Sequence, residues 1–89
     1  MFPRNPRFVR PQYKPTQQEV RDAARLVCAF KETEMNARGY ASVTQIRNRL
    51  FTRLGRQCDP VHVETIVKEI FPKVEAHPGY YHIDPASIK

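Results

Sequence analysis

The sequence predicts a mainly α fold: a three-helix winged helix-turn-helix with a short C-terminal β-hairpin and a disordered N-terminal tail. Three features carry that expectation. Three capping signals are each followed by apolar residues at three- and four-residue spacing. A Pro-Gly pair sits between two short apolar and aromatic runs near the C-terminus. Residues 1–15 contain Arg4, Arg7, Arg10, Lys14, four prolines and no acidic residue, and this character stops at Thr16.

The first helix opens at Thr16, which with Glu19 forms a capping box, and its apolar face runs Val20, Ala23, Ala24, Val27 and Phe30. Asn36 and Gly39 offer its stop. Ser42 and Gln45 form a second capping box ahead of Val43, Ile46, Leu50, Phe51 and Leu54, and Gly55 ends that helix. Asp59 followed by Pro60 starts the third, because a proline at the first helical position lacks an N–H that the helix would leave unpaired anyway. Its face is Val63, Ile66, Val67, Ile70 and Phe71, and Pro72 terminates it. Val74 to Ile83 reads as two strands around His77-Pro78-Gly79, with Pro78 and Gly79 at the centre of a type II turn. A short strand near Tyr40 to Ser42 is available to pair with this hairpin. The alternative is a plain three-helix bundle with a disordered end.

With 89 residues the chain fits one small domain with a modest core. The expected partition is a basic tail over 1–15, the domain over 16–85 and a short end over 86–89. The tail holds +4 of the +6 formal net charge, since Thr16 to Lys89 contains eleven basic and nine acidic residues. The longest apolar run, Leu26 to Phe30, lies between Arg25 and Lys31 and falls far short of the roughly 18 residues of a membrane span. The N-terminus has no continuous apolar signal, and its prolines break the amphipathic helix that a mitochondrial presequence needs. A nuclear or cytoplasmic location is expected; Cys28 and Cys58 are too few for a disulfide framework, and Cys28 falls on an apolar helical face where a reduced, buried thiol is the ordinary state.

The stretch Val63 to Ile83, in which Ile66-Val67-Lys68-Glu69-Ile70-Phe71-Pro72 leads into Tyr80-Tyr81-His82-Ile83, resembles the last helix and wing of RFX-type winged helices. It covers about a quarter of the chain. The resemblance implies a winged-helix fold; it does not extend to the arginine-containing segment with which RFX wings read DNA, because this hairpin holds Glu75, His77 and His82 and no arginine. The layout also resembles LOTUS (OST-HTH) domains, winged-helix relatives implicated in RNA and helicase binding.

Candidate contacts come from charge placement. Arg4, Arg7 and Arg10 recur every third residue among prolines, the period of a polyproline II strand, and Phe2, Phe8 and Tyr13 interleave with them. Arg49, Arg53 and Arg56 project to one side of the second helix, away from its apolar face, with no acidic residue between Ser42 and Cys58. The third helix presents His62, Glu64, Thr65, Lys68 and Glu69 outward, too acidic for ordinary major-groove docking. Arg47 falls beside Leu50, Phe51 and Leu54, where it either snorkels, pairs with a first-helix carboxylate or anchors an interface. Tyr81 and Ile83 should point inward, leaving Tyr80 and His82 as outward contacts.

Catalysis has no support: the three glycines form no phosphate loop, and no third group orients a Cys-His pair. The spacings Cys58-x₃-His62 and His77-x₄-His82 match no common zinc finger. The expectation is a non-catalytic module without metal, cofactor, membrane or small-molecule substrate. It binds DNA or RNA through Arg4, Arg7, Arg10, Lys14, Arg49, Arg53 and Arg56. The alternative is a protein-protein interaction module with the tail as a linear motif and Arg47, Tyr80 and His82 among its contacts.

Overall fold

The computed structural model describes residues 12–83. Its elements, in order, are α1 (Gln17–Phe30), α2 (Glu34–Ala37), β1 (Tyr40–Ser42), α3 (Val43–Leu54), α4 (Pro60–Ile70) and β2 (Tyr80–His82). The fold is mainly helical, with one small antiparallel sheet among the described residues.

Each expected helix start is formed. The Glu19 amide donates to Thr16 Oγ1 at 3.1 Å, and Thr16 N–H donates to Glu19 Oε1 at 2.8 Å. Ser42 and Gln45 repeat this exchange at α3, and Asp59 accepts from the Val61 and His62 amides at α4. Each cap satisfies N–H groups that the first helical turn leaves without partners. Gly55 closes α3 at φ 70°, in the left-handed region, and α4 ends at Phe71 ahead of Pro72.

The first helix stops sooner than expected. Lys31 takes the left-handed cap at φ 51°, and Thr33 then caps the one-turn α2 that contains Asn36. Asn36 therefore lies inside this second, short helix, which is capped at Arg38 and followed by Gly39 at φ 89°. A lysine carries no glycine-like stop signal, so its left-handed conformation is imposed by the packing of α2 rather than by its own preference.

β1 and β2 pair antiparallel with Tyr40 opposite His82, Ala41 opposite Tyr81 and Ser42 opposite Tyr80. The expected first strand of the hairpin is reduced to a single bridge, Lys73 with Tyr81. His82 N–H donates to the Pro72 carbonyl at 2.8 Å and Val74 N–H to the Tyr80 carbonyl at 3.0 Å, but the chain then turns, His77 N–H donating back to Val74. The next turn has the expected character: Tyr80 N–H donates to the His77 carbonyl at 3.1 Å, and Gly79 has φ 90°.

The core lies where α1, α3 and α4 meet the inner side of the sheet. Val20, Ala23, Ala24 and Val27 of α1 face Ile46 and Leu50 of α3, while Val63 and Val67 of α4 close the third side. The two alanines bring α3 and α4 close to the α1 backbone. Tyr81, Ile83 and Val74 are buried as alternation requires, and Tyr80 and His82 lie half-buried on the other side. Phe30 and Phe51, assigned to apolar faces, are 56% and 47% exposed. Phe30 closes α1 at its last residue, where the Arg49 side chain covers only part of its ring, and Phe51 sits at the edge of the α3 face.

The boundary between tail and domain also moves. Tyr13 N–H donates to the Gln57 carbonyl at 3.0 Å and Asp59 N–H to the Tyr13 carbonyl at 2.9 Å, a parallel bridge to the α3–α4 connection. Pro15 is buried, and its carbonyl lies 3.0 Å from His62 Nε2, which donates in its Nε2–H tautomer. Tyr13 to Pro15, assigned to the tail, belong to the folded body.

Candidate functional site

Two of the three arginines expected on the outward side of the second helix meet groups flanking α1 along the seam where α1 packs against α3: Arg49 beside Phe30 and Glu32, and Arg56, just past the end of α3, beside Tyr13. Helical projection gives an angle about one axis and carries no knowledge of the neighbour, which is why Arg49 is expected to point outward and instead turns towards the end of α1.

At one end of the seam, the Arg56 guanidinium lies 4.8 Å from the Tyr13 ring centroid. The Tyr13 hydroxyl donates to Glu19 Oε1 at 2.8 Å. That bond and the nearby carboxylate raise the Tyr13 phenol above its ordinary pKa. Glu19 is shifted the other way: the Thr16 amide, then the Tyr13 hydroxyl, hold its carboxyl below the usual range, with a smaller contribution from the Arg53 charge. Arg53, Arg56 and Lys14 are all exposed. Since Tyr13 is pinned to Gln57 and Asp59, the point where the tail joins the body sits beside Arg56.

At the other end, the Arg49 guanidinium lies 4.6 Å from the Phe30 ring centroid, and its Nη2 is 3.4 Å from Glu32 Oε1. Its side chain is only 22% exposed. Beside it a cleft of about 240 Å³ opens between α1, α2 and α3. Asn36, 2% exposed, joins the cleft to the core. Its amide nitrogen donates to the Tyr40 carbonyl at 2.8 Å and to Gln45 Oε1 at 3.0 Å, and its oxygen accepts from Gln45 Nε2 at 3.3 Å.

Arg47 takes neither a carboxylate nor full solvent. It is half-buried, and its Nε has no hydrogen-bond partner among the described residues. Burial, and then the Glu19 charge, raise the Cys58 thiol, while Arg47 and Arg56 pull it down. A protonated, buried thiol is a poor nucleophile and metal ligand. Among the described residues no group of three or more His, Cys, Asp or Glu side chains is placed to hold a metal ion.

On the outer side of the sheet the His82 ring meets Tyr40 edge-on at 5.2 Å between centroids, and His77 lies 6.1 Å from the same tyrosine. His82 is thus built into an aromatic cluster with β1. Lys68 of α4 pairs with Glu64 at 3.3 Å, leaving the outward side of that helix with Thr65 and Glu69. Arg4, Arg7 and Arg10 lie outside the described residues. No helix among the described residues is long and apolar enough to cross a membrane.

Sequence reasoning missed Phe30 and Glu32 as partners of Arg49, and the role of Tyr13 as an anchor. The interleaving of Tyr13 with the tail arginines was the only signal for the latter; for the former, periodicity pointed Phe30 into the core. No protein-family model, no curated protein and no solved structure matches this chain.

Proposed function

We propose that this chain is a small non-catalytic module of winged-helix type that binds nucleic acid, DNA or RNA, chiefly through phosphate contacts. The observation that carries the reading is the anchoring of Tyr13, which brings the root of the basic tail beside Arg56 and onto Glu19, the carboxylate on which the Arg53 charge also acts. Lys14, Arg53 and Arg56 thereby extend the field of Arg4, Arg7 and Arg10 onto the body, so that tail and helix act as one cationic strip. A strip of this kind draws a polyanion and fixes its path without reading sequence. Against duplex docking through α4 stand Glu69 and the Glu64–Lys68 pair, and the turn around Pro78 adds no arginine. Three long helices and the small β1–β2 sheet support the winged-helix reading, in line with the RFX-type resemblance of Val63 to Ile83, and the module would act in the nucleus or cytoplasm.

A salt series with single-stranded RNA and duplex DNA tests this, using the full chain, an Arg53→Ala/Arg56→Ala variant and an Arg4→Ala/Arg7→Ala/Arg10→Ala variant. Each lost phosphate contact should lower the slope of log K against log salt by about 0.7 for a single strand. Binding that vanishes at physiological salt, or that ignores Arg53 and Arg56, refutes the proposal.

A second reading has its own observation. Arg47, with its unpaired Nε, lies one turn before the 47% exposed Phe51 on α3. Arginine beside an exposed aromatic ring is the composition of a protein-binding patch. A partner chain docking there would leave the cationic strip free, and Phe51→Ala would abolish that contact without altering the salt slope.

A further inference from the structure

We propose that the cleft between α1, α2 and α3 takes one unpaired nucleobase, stacked on the Arg49 guanidinium. This rests on the nucleic-acid reading and makes it specific: the ligand is a single strand, because a base must leave its duplex to enter a cleft.

The cleft suits one ring system. At about 240 Å³ it is smaller than the roughly 300–1,000 Å³ that drug-sized ligands occupy. Val27 gives it an apolar wall, and Asn48, Arg49 and Glu32 supply polar groups at its edge. Arg49 is held in place: its guanidinium lies over the Phe30 ring at 4.6 Å and its side chain is 22% exposed, which limits the freedom it would lose on stacking a base. Guanidinium planes and aromatic rings are the surfaces on which unstacked bases settle. The ion pair between Arg49 and Glu32, at 3.4 Å, is long against the roughly 2.7–2.9 Å of a charge-assisted bond, so both groups keep capacity for another partner.

Charge separates a base from a phosphate as the occupant. Glu32 stands in the cleft wall and would repel a phosphate there, yet a carboxylate accepts readily from ring and exocyclic N–H groups. Arg49 donates, Glu32 accepts, and the Asn48 amide does both, so the edge of a base meets a mixed donor and acceptor set.

The position agrees with the cationic strip. Arg56 and Tyr13 mark one end of the α1–α3 seam, Arg53 lies near enough for its charge to act on Glu19, and Arg49 with Phe30 marks the other end. α1 has 14 residues, or about 21 Å at 1.5 Å per residue. A strand following the seam from the tail would reach the cleft within a few nucleotides, inside the roughly 4–16 nucleotides of small single-strand binding modules.

The test compares, by fluorescence anisotropy near physiological salt, a single strand of about ten nucleotides with an abasic strand of equal length and equal phosphate count. Wild type, Arg49→Lys, Asn48→Ala and Arg53→Ala/Arg56→Ala are measured on both. We expect the abasic strand to bind about 5- to 150-fold more weakly to the wild type, the range of one base stack. Arg49→Lys, which keeps the charge and loses the plane, should erase most of that difference by weakening only the base-bearing strand, and Asn48→Ala should reduce it. The arginine pair should weaken both strands alike. Equal wild-type affinity for the two strands, or a difference that survives Arg49→Lys, overturns the cleft assignment while leaving the phosphate reading intact. Failure of both strands to bind overturns that reading and this one together.

Discussion

Replacing Asn36 with alanine removes the polar centre of the fold, and its cost can be worked from three contacts. The Asn36 side chain donates to the Tyr40 carbonyl and to Gln45 Oε1 and accepts from Gln45 Nε2. The net value of one such bond is about 1 kcal/mol, which gives about 3 kcal/mol for the set. Two effects adjust the figure. Gln45 Oε1 keeps its bond from the Ser42 amide, so it is not orphaned. Asn36 also lines clefts on both of its sides, through which water can reach the groups left behind. The expected loss is therefore about 2–3 kcal/mol, the lower part of what an unsatisfied buried network would cost. For a domain of this size that lowers Tm by roughly 10–20 °C. Urea titration and thermal melting by circular dichroism read it directly. Gln45→Ala and the double variant complete a cycle, whose coupling should reach about 1 kcal/mol because the two amides bond to each other. A loss below about 1 kcal/mol for Asn36→Ala, or strict additivity in the cycle, would refute the reasoning.

Glu19 makes the fold sensitive to acid. Its folded pKa lies below the ordinary 4.5, so it contributes stability that is present above that value and is lost as pH falls through the folded pKa. Glu19→Gln should flatten the stability curve in that window, as followed by urea midpoints at successive pH values; an unchanged acid limb would show that other carboxylates govern it. Lys31 holds a left-handed conformation at φ 51°, so Lys31→Gly should raise stability by about 0.5–1 kcal/mol in the same urea assay. Gly55 holds φ 70° with no atom within 4 Å of where a Cβ would lie, so Gly55→Ala should cost about 1 kcal/mol from the backbone alone. Leu50, fully buried between helices, should lose about 2–5 kcal/mol on truncation to alanine.

Where a helix begins was legible because the signals are local. A hydroxyl or carboxylate at the N-cap and a glutamate or glutamine three residues on act within one turn, and all three long helices start where Thr16, Ser42 and Asp59 put them. The proline after α4, the glycine after α3 and the Pro78-Gly79 turn are local as well. Alternation along Tyr80 to Ile83 gave the inward side of the last strand for the same reason. The end of α1 was not legible, since Lys31 is a poor residue for its own conformation and adopts it because Thr33 and Asn36 build a further turn against the core. Nor was the reach of the folded body back to Tyr13, which depends on backbone bonds to Gln57 and Asp59 more than forty residues away. The candidate site divides in the same way: composition marked which residues are cationic, while packing of α1 against α3 set which of them meet Tyr13, Phe30 and Glu32. Spacing along a helix gives a direction about its own axis, and only the neighbouring helix turns that direction into a contact.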